Sequence, residues 1–149
     1  MKIGFGAIGK GYAATKAKQL MIKNGIHSGV VNAGGDLIAW GKKLDNTDWK
    51  IAIPNPKEKT EIISWLNMSE MAVVTSGNYA RFIESDGEKY CHIINPKTGW
   101  PVSGLSSVTI IAPDAEIADA LATSVFTLGK KEGLRLINLL DNIECLIVT

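Results

Sequence analysis

Apolar residues recur along this chain in two rhythms, every second position in some stretches and every third or fourth in others. The first rhythm marks strands. Gly29-Val30-Val31-Asn32 and Asp36 to Gly41 read as two short strands around Ala33-Gly34-Gly35. Trp49 to Ile53 alternates and stops at Pro54-Asn55-Pro56. Ala72 to Thr75, Tyr79 to Glu84 and Glu88 to Ile94 follow as consecutive strands, with Ser85-Asp86-Gly87 as a hairpin turn. Ser107 to Ala112 and Glu144 to Val148 complete the set. The second rhythm marks helices. One runs from Tyr12 to Lys23, stops at Asn24-Gly25, and carries Ala13, Ala17, Leu20 and Met21 as its expected buried stripe. A second is expected over Glu58 to Leu66. A third follows Pro113, from Ala115 to Leu128, and ends at Gly129; a fourth spans Glu132 to Leu140. Strands come in runs broken by helices, so the pattern predicts an α+β fold, a largely antiparallel sheet covered by helices. No repeat, linker or low-complexity segment divides the chain, and a single domain over 1–149 is expected.

Composition changes this picture little. A chain of 149 residues, 46% apolar and 21% charged, suits a globular domain with a real core. A net charge of +1 with interspersed signs makes no electrostatic case for nucleic acid. Cys91 and Cys145 each sit in an apolar strand-like run and read as buried free thiols; no C-x-x-C pair or clustered histidine suggests zinc. No apolar stretch reaches the length of a membrane span. The first residues, MKIGFGAIGKGYAA, lack the apolar core and cleavage site of a signal peptide, so by sequence the chain reads as cytoplasmic. A glycine-rich turn begins almost at once, as though a strand before it were missing.

Five features carry candidate chemistry. His92-Ile93-Ile94-Asn95-Pro96-Lys97-Thr98-Gly99-Trp100-Pro101 joins two expected strands and is over-specified for a connector, because Pro fixes φ and Gly frees it. It would hold His92 and Thr98 in set places, although a lone histidine beside a strand is more often structural. Gly4 to Gly11 leads into a helix whose free N–H groups favour an anion, with Lys10 adding charge. Its spacing fits neither a Walker A nor a dinucleotide fingerprint, and a tight structural turn explains it as well. Asn32-Ala33-Gly34-Gly35-Asp36 lets a ligand approach the backbone at Gly34 and Gly35, or is simply a hairpin corner or bulge. Thr75-Ser76-Gly77 ends a strand with hydroxyl and N–H groups suited to phosphate or a polar ring edge, or is a plain turn. Finally, Asp119 and Thr123 stand one helical turn apart and project from one face. A carboxylate and a hydroxyl are hard oxygen ligands suited to Mg²⁺. The alternative is a solvated face, but the apolar neighbours leave little polar surface there, and an acid in so apolar a helix needs a partner.

Taken in order, GAIGKGYA, VNAGGD, W-x-I-x-I-x-N-P, TSG-x-Y, HIINPKTGWP and AD-x-L-A-T followed by LG resemble the ApbE family, the FAD:protein FMN transferases once described as thiamine-biosynthesis lipoproteins. The resemblance runs from Gly4 to about Gly129, and HIINPKTGWP with ADALAT is its specific part. It implies an ApbE-like (T-fold-like) fold and an Mg²⁺-dependent reaction. In that reaction a Thr or Ser hydroxyl of a target flavoprotein attacks the FMN-side phosphorus of FAD. FMN becomes attached through its phosphate, and AMP leaves. By position, the resemblance implies Asp119 and Thr123 as side-chain ligands of Mg²⁺ and the Ala7 carbonyl as a backbone ligand. Lys10 and the backbone at Ile93 correspond to flavin-nucleotide contacts. His92 stands as the acid–base residue or as an orienter of the cofactor, and Asp119 as an alternative acceptor of the hydroxyl proton.

Some positions depart from the family pattern. Gly4 and Thr15 stand where the family commonly has Asp. Family members run to roughly twice this domain-sized length, and the chain resembles their C-terminal half. They are typically exported and membrane-anchored, whereas no lipid-anchor cysteine stands here. A truncated reading frame, a fragment or one half of a split protein is therefore expected. The alternative functions are a flavin-binding module and a non-catalytic ApbE-like protein. The expected partners are a second copy, dimerising to cover an exposed sheet edge, or the missing N-terminal half, which the resemblance implies supplies further FAD contacts and part of the fold.

Overall fold

The computed structural model describes residues 4–58, 60–78, 82–85 and 87–149. Its centre is a five-stranded, wholly antiparallel sheet. The strands are β1 (Gly29–Ala33), β2 (Asp36–Trp40), β5 (Met71–Gly77), β8 (Ser107–Ala112) and β9 (Glu144–Val148), in that spatial order. Two hairpins stand beside it: β3 (Trp49–Pro54) with β4 (Ile62–Met68), and β6 (Phe82–Ser85) with β7 (Glu88–Cys91). Helices α1 (Gly9–Lys23) and α2 (Ala115–Ile137) lie on one face of the sheet. This is the expected α+β architecture. Among the described residues no helix is long and apolar enough to cross a membrane.

The central strands are apolar on both faces because both faces are covered. On β5 and β8, Ala72, Val74, Val108, Ile110 and Ala112 join the helices' Ala14, Ala115, Ala118, Ala122, Val125 and Phe126 in the main core. Val73 points the other way, into a smaller cluster with Ala39, Ile51 and Met68 under the β3–β4 hairpin. Both cysteines are free, as expected; burial pushes the Cys145 thiol up to about 11.

α2 begins with Asp114, whose carboxylate accepts the N–H groups of Glu116 (2.8 Å) and Ile117 (3.1 Å). Gly129 breaks it, with φ 79° and ψ 174°, where the sequence places the stop. A Cβ on Gly133 would come within 2.6 Å of Val125 Cγ1. Eight residues of straight helix span about 12 Å, so the chain turns sharply at Gly129 and packs back on itself.

Three expectations are corrected. Glu58 to Leu66 is not a helix; Ile62–Met68 is strand β4, antiparallel to β3, with Ser64, Leu66 and Met68 turned inward and Trp65 and Asn67 outward. β-Branched Ile62 and Ile63 favour that state. The buried stripe of α1 is not Ala13, Ala17, Leu20 and Met21. Gly11, Ala14 and Thr15 are buried, while Ala13, Leu20 and Met21 are exposed. The element ends also differ: α1 begins at Gly9, β7 ends at Cys91, and α2 ends at Ile137. Of the strand expected over Tyr79 to Glu84, the part 79–81 lies outside the described residues, as does Asp86 of the expected turn.

The stripe of α1 is set by how closely the two helices approach. A Cβ on Gly11 would lie 2.1 Å from the Ala115 carbonyl oxygen and 2.8 Å from Asp119 Cβ. Only small residues fit that contact, so the larger apolar side chains turn outward. Gly11→Ala is expected to destabilise the fold by ~1–3 kcal/mol through overpacking. Gly9→Ala, with nothing within 4 Å of its Cβ, should be neutral or stabilising by up to about 1 kcal/mol. Urea unfolding of the two variants checks both, and equal midpoints would contradict the close-contact account.

Candidate active site

The N-terminus of α1, the β1–β2 turn, the end of β5, the start of the loop after β7 and one face of α2 converge on a cavity of about 440 Å³. Each arrives by a local cause. Gly34 (φ 65°) and Gly35 (φ 102°) form the two-residue turn of the β1–β2 hairpin, where both central residues need positive φ. Asn32 Oδ1 accepts the Gly35 N–H at 2.8 Å. This puts Asp36, the first residue of β2, at the cavity wall, almost fully buried. Ser76 faces α2 from the end of β5, with its hydroxyl 3.1 Å from that of Thr123. Thr75 pairs instead with Thr109, at 2.8 Å.

Asp119 joins the fold to the site. Helix α1 is preceded by Ile8, which offers no side-chain cap, and has no acidic residue in its first turn. Its early N–H groups need acceptors. Asp119 Oδ2 accepts the Gly11 N–H at 3.0 Å from the facing helix. The other oxygen, Oδ1, stands 3.5 Å from the Lys10 ammonium. Lys10 is held more closely by Asp36, at 2.5 Å. Two buried carboxylates thus share one half-exposed cation. Burial raises the Asp36 carboxyl from its ordinary 3.8 to about 6, against the pull of Lys10, and the nearby Asp119 charge adds to the rise.

The structure brings most of the sequence candidates together. Ala7, Lys10, Gly34, Thr75, Ser76, Gly77, His92, Ile93, Asp119 and Thr123 all line the cavity. Gly35 and Thr98 do not. Gly35 serves the hairpin turn. Thr98 lies exposed in the His92–Pro101 loop, where its hydroxyl accepts the Trp100 N–H at 3.3 Å. That loop is folded on itself: Asn95 Oδ1 takes the Lys97 N–H (2.9 Å), the Asn95 carbonyl takes that of Gly99 (2.8 Å), and Ile94 bridges Pro101. Two lining residues are additional, Gly6 and Asp36. Asp36 was legible as the acid closing VNAGGD, but only the pairing with Lys10 distinguishes it from a turn residue.

Beside Lys10 and His92, the lining residues Asp119, Thr123, Ser76 and Ala7 carry oxygen donors: a carboxylate, two hydroxyls and a backbone carbonyl. Such a set suits a hard cation that keeps some of its water, rather than zinc. Among the described residues no group of three His, Cys, Asp or Glu could hold a metal ion. The glycines at 6, 34 and 77 leave backbone open to a ligand.

The model of the ApbE family matches residues 1–147. The chain belongs to the ApbE family. It is 35% identical to the FAD:protein FMN transferase of Treponema pallidum (strain Nichols), over 99% of this chain and 44% of that protein. It is 31% identical to the FAD:protein FMN transferase of Klebsiella pneumoniae (strain 342), over 100% of this chain and 46% of that one. Among solved structures, the ApbE protein of Thermotoga maritima MSB8 superposes with a TM-score of 0.89 at 38% identity, over 98% of this chain and 48% of that one. The apo form of the Pseudomonas stutzeri flavinyl transferase ApbE gives 0.83 at 32% identity, over 98% and 45%. The chain therefore spans a little under half the length of the ApbE proteins it matches, and the fold is ApbE-like.

Protonation of Asp36 couples this site to stability. Its carboxyl titrates higher folded than unfolded, so the stability it contributes is full below the unfolded value of 3.8 and lost as pH rises through about 6. In chelator, the chain is expected to lose stability between about pH 4 and pH 6, and Asp36→Asn should flatten that loss. Urea midpoints across this range test it; an unchanged slope in the variant would contradict the assignment.

Proposed function

We propose that this chain carries the catalytic wall of an FAD:protein FMN transferase. The observation that carries the reading is the meeting of Lys10, Asp119, Thr123, His92 and the Gly34 turn around one cavity, in a chain of the ApbE family. A volume near 440 Å³ is in the range of small-molecule sites, ~300–1,000 Å³.

The reaction transfers FMN from FAD to a Thr or Ser hydroxyl of a target flavoprotein. The hydroxyl oxygen forms a bond to the FMN-side phosphorus, the bond from that phosphorus to the bridging oxygen breaks, and AMP leaves carrying that oxygen. The hydroxyl proton goes to a base. His92, exposed at the cavity edge, is suited to take it or to orient the flavin nucleotide; Asp119 is the alternative acceptor. Lys10 contributes positive charge where the diphosphate would lie, and the backbone at Ile93, Gly34 and Gly77 offers polar groups to the flavin nucleotide, flanked by the Thr75 and Ser76 hydroxyls. Asp119, Thr123 and the Ala7 carbonyl would hold Mg²⁺. A bound Mg²⁺ neutralises charge that develops on the diphosphate oxygens, which is most of what phosphoryl transfer asks of a protein.

A second reading, a flavin-binding module without transfer, rests on a specific observation: the chain spans 44–48% of the length of its relatives. One experiment separates the two. The chain is incubated with FAD, Mg²⁺ and a flavoprotein domain bearing an acceptor Thr. Transfer predicts an acceptor mass increased by covalent FMN, matched by AMP release, and a loss of at least ~100-fold on Asp119→Ala. Flavin fluorescence quenched by binding, with no acceptor product, would favour the binding module and overturn transfer.

A further inference from the structure

The three charged groups at the site are not equivalent, and their distances differ in a telling way. Lys10 sits in the first turn of α1, where the helix dipole disfavours a cation. Its ammonium must therefore be held by acids. It is 2.5 Å from Asp36 Oδ2 and 3.5 Å from Asp119 Oδ1. The Asp119 Oδ2 atom is already committed to the Gly11 N–H. Oδ1 is then the oxygen with which Asp119 meets a cation in the cavity, and Lys10 stands beside it without closing on it. The Lys10 stem passes beside the Gly34 turn, where a Cβ would lie 3.8 Å from Lys10 Cδ. Asp36 is nearly fully buried at the start of β2.

We propose that Lys10 competes with a divalent cation for Oδ1 of Asp119, and that Asp36 is a positioning residue that holds Lys10 back from it. This rests on the metal-holding role of Asp119 in the proposed function. With no metal, one ammonium serves both carboxylates. When a metal arrives, Lys10 stays on Asp36 and Oδ1 is released. Asp36 thereby acts on the metal site through Lys10, beyond the general attraction of its charge.

The test needs no flavin and no acceptor. Mn²⁺ is titrated by calorimetry into the full chain, into Lys10→Met, into Asp36→Asn and into the double variant. Lys10→Met is expected to tighten Mn²⁺ by roughly tenfold, the size of one close charge pair. Asp36→Asn weakens Mn²⁺, and weakens it several-fold more with Lys10 present than in the Lys10→Met background. Unchanged affinity in Lys10→Met overturns the competition. Equal weakening by Asp36→Asn in both backgrounds overturns the positioning role, because Asp36 then acts only as a charge. Should Lys10→Met alone fail to fold, the double variant against Asp36→Asn gives the same comparison, with the double variant binding more than tenfold tighter.

Melting in chelator supplies a readout without metal. Lys10→Met should lower the Tm, since two buried carboxylates lose their counter-ion. Adding Asp36→Asn should bring the Tm part of the way back. A double variant melting no higher than Lys10→Met would overturn the shared counter-ion. Uptake of Mn²⁺ by the full chain with no dependence on Lys10 sinks this inference and leaves the proposed function standing. No Mn²⁺ uptake by any variant, with the melting pattern intact, sinks the metal-holding reading and the competition together.

Discussion

Helix α1 cannot begin where it does without a carboxylate from elsewhere, and α2 supplies it. Ile8 offers no cap and the first turn holds no acid, so the Gly11 N–H is satisfied by Asp119, 108 positions away. The bond requires the helices to touch. They touch because residue 11 has no side chain and residues 115, 118 and 122 have only a methyl group. That contact orients the Asp119 carboxylate, while α1 also packs on β1 and β2 and Lys10 reaches Asp36. The site is in this sense a by-product of capping. A group needed to end a helix cleanly is turned so that its second oxygen faces the cavity.

Much of this architecture was legible because it depends on local chemistry. The strands β8 and β9 follow from apolar runs bounded by turn residues, and the break at Gly129 follows from a residue that alone tolerates φ near 79°. The β1–β2 turn was legible for the same reason. Where the outcome depended on a partner, the pattern misled. In α1 the larger apolar residues suggested the buried face, but the proximity of α2 leaves Gly11, Ala14 and Thr15 there. In β4 the spacing of apolar positions fits a helix as readily as a strand, and pairing with β3 decides it. Among the site residues, Thr98 looked chemical because of its company. Its hydroxyl holds the Trp100 N–H, so the His92–Pro101 loop is over-specified partly for its own folding and partly to bring His92 and Ile93 to the cavity. Asp36 could not have been separated from a turn acid by sequence, because its role is visible only once Lys10 approaches from another element.

The electrostatics of the site follow from an imbalance. Two carboxylates, each all but removed from water, face a single ammonium that is itself half-exposed. Water screens the ammonium but not the acids, so the attraction does not fully offset what burial costs. This is why Asp36 titrates near 6 despite a bond of 2.5 Å to Lys10. A core optimised only for stability would carry one acid here, or none. The second acid persists in a cavity walled by Thr123, Ser76 and glycine backbone, all of which can turn oxygen or N–H toward a ligand. Under the proposed function, the excess negative charge is balanced by a cation from solution, and the neighbouring N–H groups and Lys10 by an anion. A cavity that can satisfy both signs within a few ångströms is suited to a metal–diphosphate pair, and one that satisfied only one sign would not be.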